Sequence, residues 1–256
     1  MRKILRPLTS FIILASAGIM LTAGWIKWRS LEPGHHLVVA WEGLWLPLNF
    51  RDAGASFNSC LGQELIRPGL LTRANRWFSG FSCTNVGNPE EIFSLNYKPA
   101  SREEFFCQGQ TGKTIGRHFN RGITLHNLEF LSSWQQEAMG ASACNFVHEI
   151  LKSLARAKRI LLHCDAGQDR TGTITALLQA LVAERSALPR ASWLQAIECD
   201  YRQSPYLAPD KYGRQANFIN SLPNASVAEF ISTTCGIPPE TINAAVRQLQ
   251  TVDPPQ

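Results

Sequence analysis

The 256-residue chain is 45% hydrophobic with a formal net charge of +5, enough apolar content for one well-buried core and at most a small appendage. Arg2, Lys3, Arg6, Lys27 and Arg29 all precede the first acidic residue, Glu32, and the remaining 20 basic residues balance 20 acidic ones. The body is therefore neutral, which removes the case for a nucleic-acid partner.

Residues 8–26 (LTSFIILASAGIMLTAGWI) form an uncharged run about long enough to span a bilayer as a helix. Basic residues flank it, and Trp25 and Trp28 suit the interface at its far end. The heavier upstream charge predicts a cytoplasmic N-terminus and a body on the other side of the membrane. A cleaved signal peptide is the alternative, because 15–17 (ASA) and 21–23 (LTA) resemble small-residue cleavage sites. Residues 1–29 are thus read as anchor or signal, and 30–256 as the folded domain with a C-terminal helical extension.

Taken in order, 37–41 (LVVAW) reads as a strand, and 48–54 (LNFRDAG) and 66–74 (IRPGLLTRA) follow it. Residues 77–89 are rich in Gly, Ser and Asn and read as loop. Strands are expected over 91–96 and 122–128, with the polar stretch 97–104 after the first. Residues 142–157 place Phe146, Val147, Ile150, Leu151 and Leu154 on one helical face. Further helices are expected over 191–199, 210–222 and from Pro239, where Ile242, Ala245, Val246 and Leu249 share a side. Strands alternating with helices predict an α/β fold, a central mostly parallel sheet flanked by helices, with its ligand loop at a strand's carboxyl end.

Residues 160–175 (ILLHCDAGQDRTGTIT) organise the rest. An apolar strand runs into His163 and Cys164, five residues lead to Arg170, and an apolar helix follows. If Gly167 lets the backbone curl, the amides of Asp165, Ala166, Gly167 and Gln168 form an anion nest. The helix N-terminus points its positive end at the same place. A thiol held there suits a nucleophile, Arg170 offers paired donors to phosphate oxygens, and Thr171 can give a hydroxyl to the leaving thiolate.

HCDAGQDRTG resembles the signature loop HCxxGxxRTG of the cysteine-dependent protein tyrosine and dual-specificity phosphatases, closest to a bacterial branch ending in Asp-Arg-Thr-Gly. NFRDAG and RPGLLTR resemble that branch's opening segments. The resemblance covers residues 48–184, and its strong motif is ten residues long. It implies hydrolysis of phosphate monoesters, foremost protein phosphotyrosine, through a cysteinyl-phosphate on Cys164, with no cofactor and no metal. It places Asn49, Arg51 and Asp52 behind or beside the loop as support, Arg73 near the rim, and His163 as a brace. An ion pair between Arg51 and Asp52 that merely steadies a turn is the plainer alternative.

Relatives carry a general-acid aspartate on a separate loop, yet no aspartate lies between Asp52 and Asp165. Asp169 is the expected proton donor, with Glu129 the alternative. Gln168 stands where phosphoinositide-preferring relatives carry lysine, and acidic Asp165 adds to that contrast. The partner implied is a phosphorylated protein or small phosphate ester, with the membrane engaged through 8–26. A catalytically silent phosphate-binding module would explain the missing aspartate, and a phosphoinositide phosphatase remains open. Arsenate reductases and sulfurtransferases share Cys-x5-Arg without Arg-Thr-Gly. No histidine shows metal-ligand spacing. Six cysteines besides Cys164 remain, free to stay reduced or to pair in an oxidising compartment.

Overall fold

The computed structural model describes residues 48–95, 105–109, 114–115, 117–120, 137–222 and 226–251. Its strands are β1 (Arg51–Asp52), β2 (Leu71–Asn75), β3 (Glu91–Ser94), β4 (Cys107–Gln108), β5 (Thr114–Ile115), β6 (Arg117–Asn120) and β7 (Ile160–Cys164). Its helices are α1 (Ala53–Leu61), α2 (Glu137–Ala155), α3 (Asp169–Ala183), α4 (Arg190–Arg202), α5 (Arg214–Asn220), α6 (Val227–Cys235) and α7 (Pro239–Leu249). Five strands form one sheet in the order β1-β2-β7-β3-β6, parallel except for β1 at the edge, while β4 and β5 pair separately. The α/β fold with a mostly parallel sheet is therefore as the sequence predicts.

β7 is buried along its whole length because it is the central strand, covered on both faces. Alternation then sends Ile160, Leu162 and Cys164 to one side and Leu161 to the other. On the first side they join Leu71 and Phe93 in a core to which all seven helices contribute, among them Phe57, Phe146, Leu177, Trp193, Ile219, Phe230 and Val246. On the second side Ala74, Ile92 and Leu161 pack on Phe78, Val86, Cys83 and Cys107. Phe78, Cys83 and Val86 come from two 3₁₀ turns, Arg76–Gly80 and Cys83–Val86, inside the stretch read as plain loop.

The helices after α3 pack against those before it. They fill the same core, and the last one is clasped to the α1–β2 connection, where Arg67 N donates to Leu249 O (2.6 Å). α1 and α6 are unforeseen additions, capped by Asp52 and Ser226 respectively. The single helix expected over 210–222 is instead a 3₁₀ turn, Pro209–Lys211, and α5, separated at Gly213 (φ 82°). Residues 8–26 and the strands expected over 37–41 and 122–128 lie outside the described residues. Among the described residues no helix is long and apolar enough to cross a membrane.

The six cysteines pair completely: Cys60–Cys199 joins α1 to α4, Cys83–Cys107 joins a 3₁₀ turn to β4, and Cys144–Cys235 joins α2 to α6. Cys164 is the one free thiol.

Candidate active site

Cys164 ends β7 beside Asn75 of β2, its partner in register, and is buried. The chain then turns through residues 165–168 into α3, so the helix N-terminus follows the thiol directly. The turn requires Gly167. Its φ is +65°, and a Cβ there would stand 2.5 Å from Ala74 O and 2.8 Å from Asn75 N, both backbone atoms that cannot swing away. A left-handed non-glycine residue alone costs on the order of 1–3 kcal/mol, and the clash adds to it. Gly167→Ala is expected to lower the melting temperature and to cut phosphate affinity at least tenfold. Wild-type phosphate affinity in a folded variant would contradict this account of the loop.

The rear of the loop is tied to polar groups from the segment before β1 and from β2. Asn49 Nδ2 donates to Ala166 O (3.1 Å) and Gly167 O (2.9 Å). Arg73 Nη2 donates to Gly167 O (2.9 Å) and Gln168 O (3.3 Å). Arg73 is completely buried under the loop, not at the rim as the resemblance implied, and its other arm donates from Nη1 to Asp200 Oδ2 (2.8 Å). Arg51 Nε donates to Asp200 Oδ1 (2.8 Å), so its ionic partner is Asp200 and not Asp52. Asp52 instead caps α1, accepting from Ala55 N (2.8 Å) and Gly69 N.

Burial alone would raise the pKa of Asp200, but the charges of Arg51 and Arg73 and their hydrogen bonds override it and hold the value at about 2. The folded value lies below the ordinary carboxylate value of about 4. Its stabilising contribution is therefore complete above that pH and lost as pH falls toward about 2. Burial and the like charge of Arg51 lower Arg73 to about 10, against the opposing pull of Asp200 and Cys164.

At the open side, Arg170 Nη1 donates to Leu95 O (2.6 Å) and Nη2 to Asp165 Oδ2 (3.4 Å). Arg76 Nη1 lies 3.8 Å from the other Asp165 oxygen and stacks over the Trp77 ring (4.5 Å). A cleft of about 390 Å³ opens beside the loop, lined by Asn49, Arg76, Trp77, Asp165, Gln168 and Tyr206 among others. Gln168 Nε2 donates to Pro205 O (2.6 Å), and Tyr206 follows at φ 55° with 74% of its surface exposed. The Thr171 hydroxyl is fully buried in the first turn of α3 and has no hydrogen-bond partner among the described residues. His163 sits between the rings of Phe78 (5.0 Å) and Phe105 (5.5 Å), a steric brace for the strand end.

Asp169, the expected proton donor, sits among three donors. Its carboxylate accepts from Tyr201 Oη (2.5 Å), Lys211 Nζ (2.7 Å) and Arg214 Nη1 (3.1 Å). Partial burial raises its pKa, but these partners outweigh that and leave it below the usual carboxylate range. A carboxyl held ionised by two cations is a poor acid. Its contacts make it the anchor that joins the start of α3 to α4 and α5. Glu129, the alternative donor, lies outside the described residues.

Asp200, Tyr201, Lys211 and Arg214 were not singled out from the sequence, because they reach Arg51, Arg73 and Asp169 from positions far along the chain. Among the described residues no cluster of three or more His, Cys, Asp or Glu could hold a metal. Chemically, the arrangement offers a buried thiol at a helix N-terminus, a loop whose carbonyls are bound from behind, and a guanidinium at the mouth. The tyrosine phosphatase family model matches residues 124–252, half of the chain, a span that contains Cys164, Arg170 and Asp200. No curated protein matches the chain.

Proposed function

The chain belongs to the tyrosine phosphatase family, and from that premise we propose that it hydrolyses phosphotyrosine in proteins through a cysteinyl-phosphate intermediate. The observation that carries the reading is the loop from Cys164 to Arg170, its carbonyls bound from behind and its thiol free. Cys164 Sγ attacks phosphorus, an S–P bond forms, and the bond to the leaving oxygen breaks with a proton delivered to that oxygen. Water then attacks phosphorus, the S–P bond breaks, and inorganic phosphate departs. Arg170 and the amides of residues 165–169 hold the equatorial oxygens. The Thr171 hydroxyl, unpaired among the described residues, eases departure of the thiolate.

Two features favour an aryl phosphate within a peptide. Trp77 and Tyr206 supply aromatic walls to the cleft beside the loop, and Tyr206 holds a backbone conformation that bulky residues rarely adopt. Neutral Gln168 is drawn to Pro205, while Asp165 sets a carboxylate at the mouth, which repels a multiply phosphorylated head group. A phosphotyrosine peptide should therefore be cleaved with higher kcat/KM than a phosphoinositide in mixed micelles. The reverse preference would move the substrate class to lipid.

We propose Glu129 as the proton donor, because Lys211 and Arg214 bind the Asp169 carboxylate. General acid catalysis contributes about 10²–10⁴-fold and is felt chiefly with a poor leaving group. Glu129→Gln should slow phosphotyrosine far more than nitrophenyl phosphate. Asp169→Asn should lower both together, since it loosens the helix that carries Arg170. A selective loss of phosphotyrosine turnover in Asp169→Asn would return the acid role to Asp169.

We further propose that residues 8–26 anchor the chain with its body outside the cytoplasm, in the periplasm of a bacterial cell. Three disulfides favour an oxidising compartment, and the charge flanking that segment favours the same orientation. An alkaline phosphatase reporter fused after Gln256 should be active. A reporter that works only in the cytoplasm would reverse the orientation.

A further inference from the structure

Asp200 lies on α4, 1% exposed, and every oxygen of its carboxylate is engaged. Oδ1 accepts from Arg51 Nε (2.8 Å) and Ser56 Oγ (2.6 Å), and Oδ2 from Arg73 Nη1 (2.8 Å). Its backbone oxygen accepts from Arg51 Nη2 (2.6 Å). Burying three charges is costly, and an apolar cluster would brace the same helix and strands as well or better. What an apolar cluster could not do is direct donors at the loop.

Both arginines pass the carboxylate's hold onward. Arg73, fixed at Nη1, donates from Nη2 to the carbonyls of Gly167 and Gln168. Arg51 donates from Nη1 to Asn49 Oδ1 (2.6 Å), which leaves Asn49 Nδ2 as the atom facing the carbonyls of Ala166 and Gly167. Three successive carbonyls, of residues 166, 167 and 168, are thus pulled to one side. In a trans peptide the N–H points opposite the C=O of the same unit. The N–H groups of Gly167, Gln168 and Asp169 are thereby turned away from the arginines, toward the oxyanion position.

We propose that Asp200 is a positioning residue for oxyanion binding: through Arg51 and Arg73 it orients the loop amides that receive the phosphoryl group. The proposal rests on the phosphatase reading above. Asp200 also offsets one of two buried guanidinium charges, leaving one net positive charge beneath the loop.

The test measures protection of Cys164 from iodoacetate by inorganic phosphate, a readout independent of turnover. Asp200→Asn should weaken protection at least tenfold while Cys164 is still alkylated, and kcat/KM should fall in parallel. Because that variant leaves two buried cations, Arg51→Met/Asp200→Asn is measured beside it, with the net charge returned to one. It should fold and still bind phosphate at least tenfold more weakly than the parent. Parental protection in either folded variant, whatever its melting temperature, overturns the proposal. Unfolding of both variants would make Asp200 a structural residue and overturn it equally. Absence of phosphate protection in the parent chain would instead remove the phosphatase reading itself.

Discussion

Cys164→Ser is expected to reduce phosphate-ester hydrolysis on the order of 10⁴-fold or more, the scale seen when a covalent nucleophile is lost. A serine hydroxyl is a weak nucleophile without a base beside it. Asp169, the carboxylate next to Arg170, does not fill that role, because it is bound to Lys211 and Arg214. The substitution leaves Arg170, the loop carbonyl ties and the start of α3 in place, so phosphate binding should persist. Hydrolysis of nitrophenyl phosphate and phosphate binding, measured on the same preparation, separate the two. Substantial turnover by the serine variant would sink the covalent mechanism.

The second large effect concerns the disulfides. A crosslink removes loop-closure entropy from the unfolded chain, more for a longer loop. For the 139-residue separation of Cys60 and Cys199 the chain-entropy relation gives about 5 kcal/mol, against about 3.4 kcal/mol for the 24-residue separation of Cys83 and Cys107. Cys60→Ser/Cys199→Ser should therefore cost more stability than Cys83→Ser/Cys107→Ser. Phosphate affinity should suffer as well, because Cys199 precedes Asp200 on α4. Chemical denaturation of each pair variant checks the ranking. Thiol titration of the denatured, unreduced protein checks the pairing: one thiol before reduction and seven after. Seven thiols before reduction would reject it.

How much of this was legible followed from how local each feature is. The loop was readable because Cys164, Gly167, Arg170 and Thr171 fall within eight residues, and the apolar run into β7 and the apolar α3 bracket them. The face of α2 was readable because Phe146, Val147, Ile150 and Leu154 obey one period. α6 carried a usable signal that was passed over, Ser226 three residues before Glu229, and the Ser226 hydroxyl does accept from Glu229 N (2.9 Å). α1, with Gly54 and Ser56 among its small residues, has no comparable apolar stripe, and only its capping Asp52 announces it.

Asp200 had no sequence signal at all. An aspartate in a helix reads as a solvated face, and only burial between Arg51 and Arg73 reveals otherwise. The surroundings of Asp169 were hidden for a related reason. Adjacency to Arg170 suggested a part in the chemistry, whereas Lys211 and Arg214, distant in sequence, decide its protonation.

The complete pairing of the other six cysteines also settles what peroxide would do to this protein. Oxidised once, a thiolate becomes a sulfenic acid, which a neighbouring thiol ordinarily rescues by condensing with it. Here every candidate thiol is already spent in Cys60–Cys199, Cys83–Cys107 or Cys144–Cys235. Recovery must come from a reductant supplied by the surroundings, and without one the next step, to the sulfinic acid, is terminal. The molecule's working life in an oxidising compartment is thus set by chemistry outside its own chain.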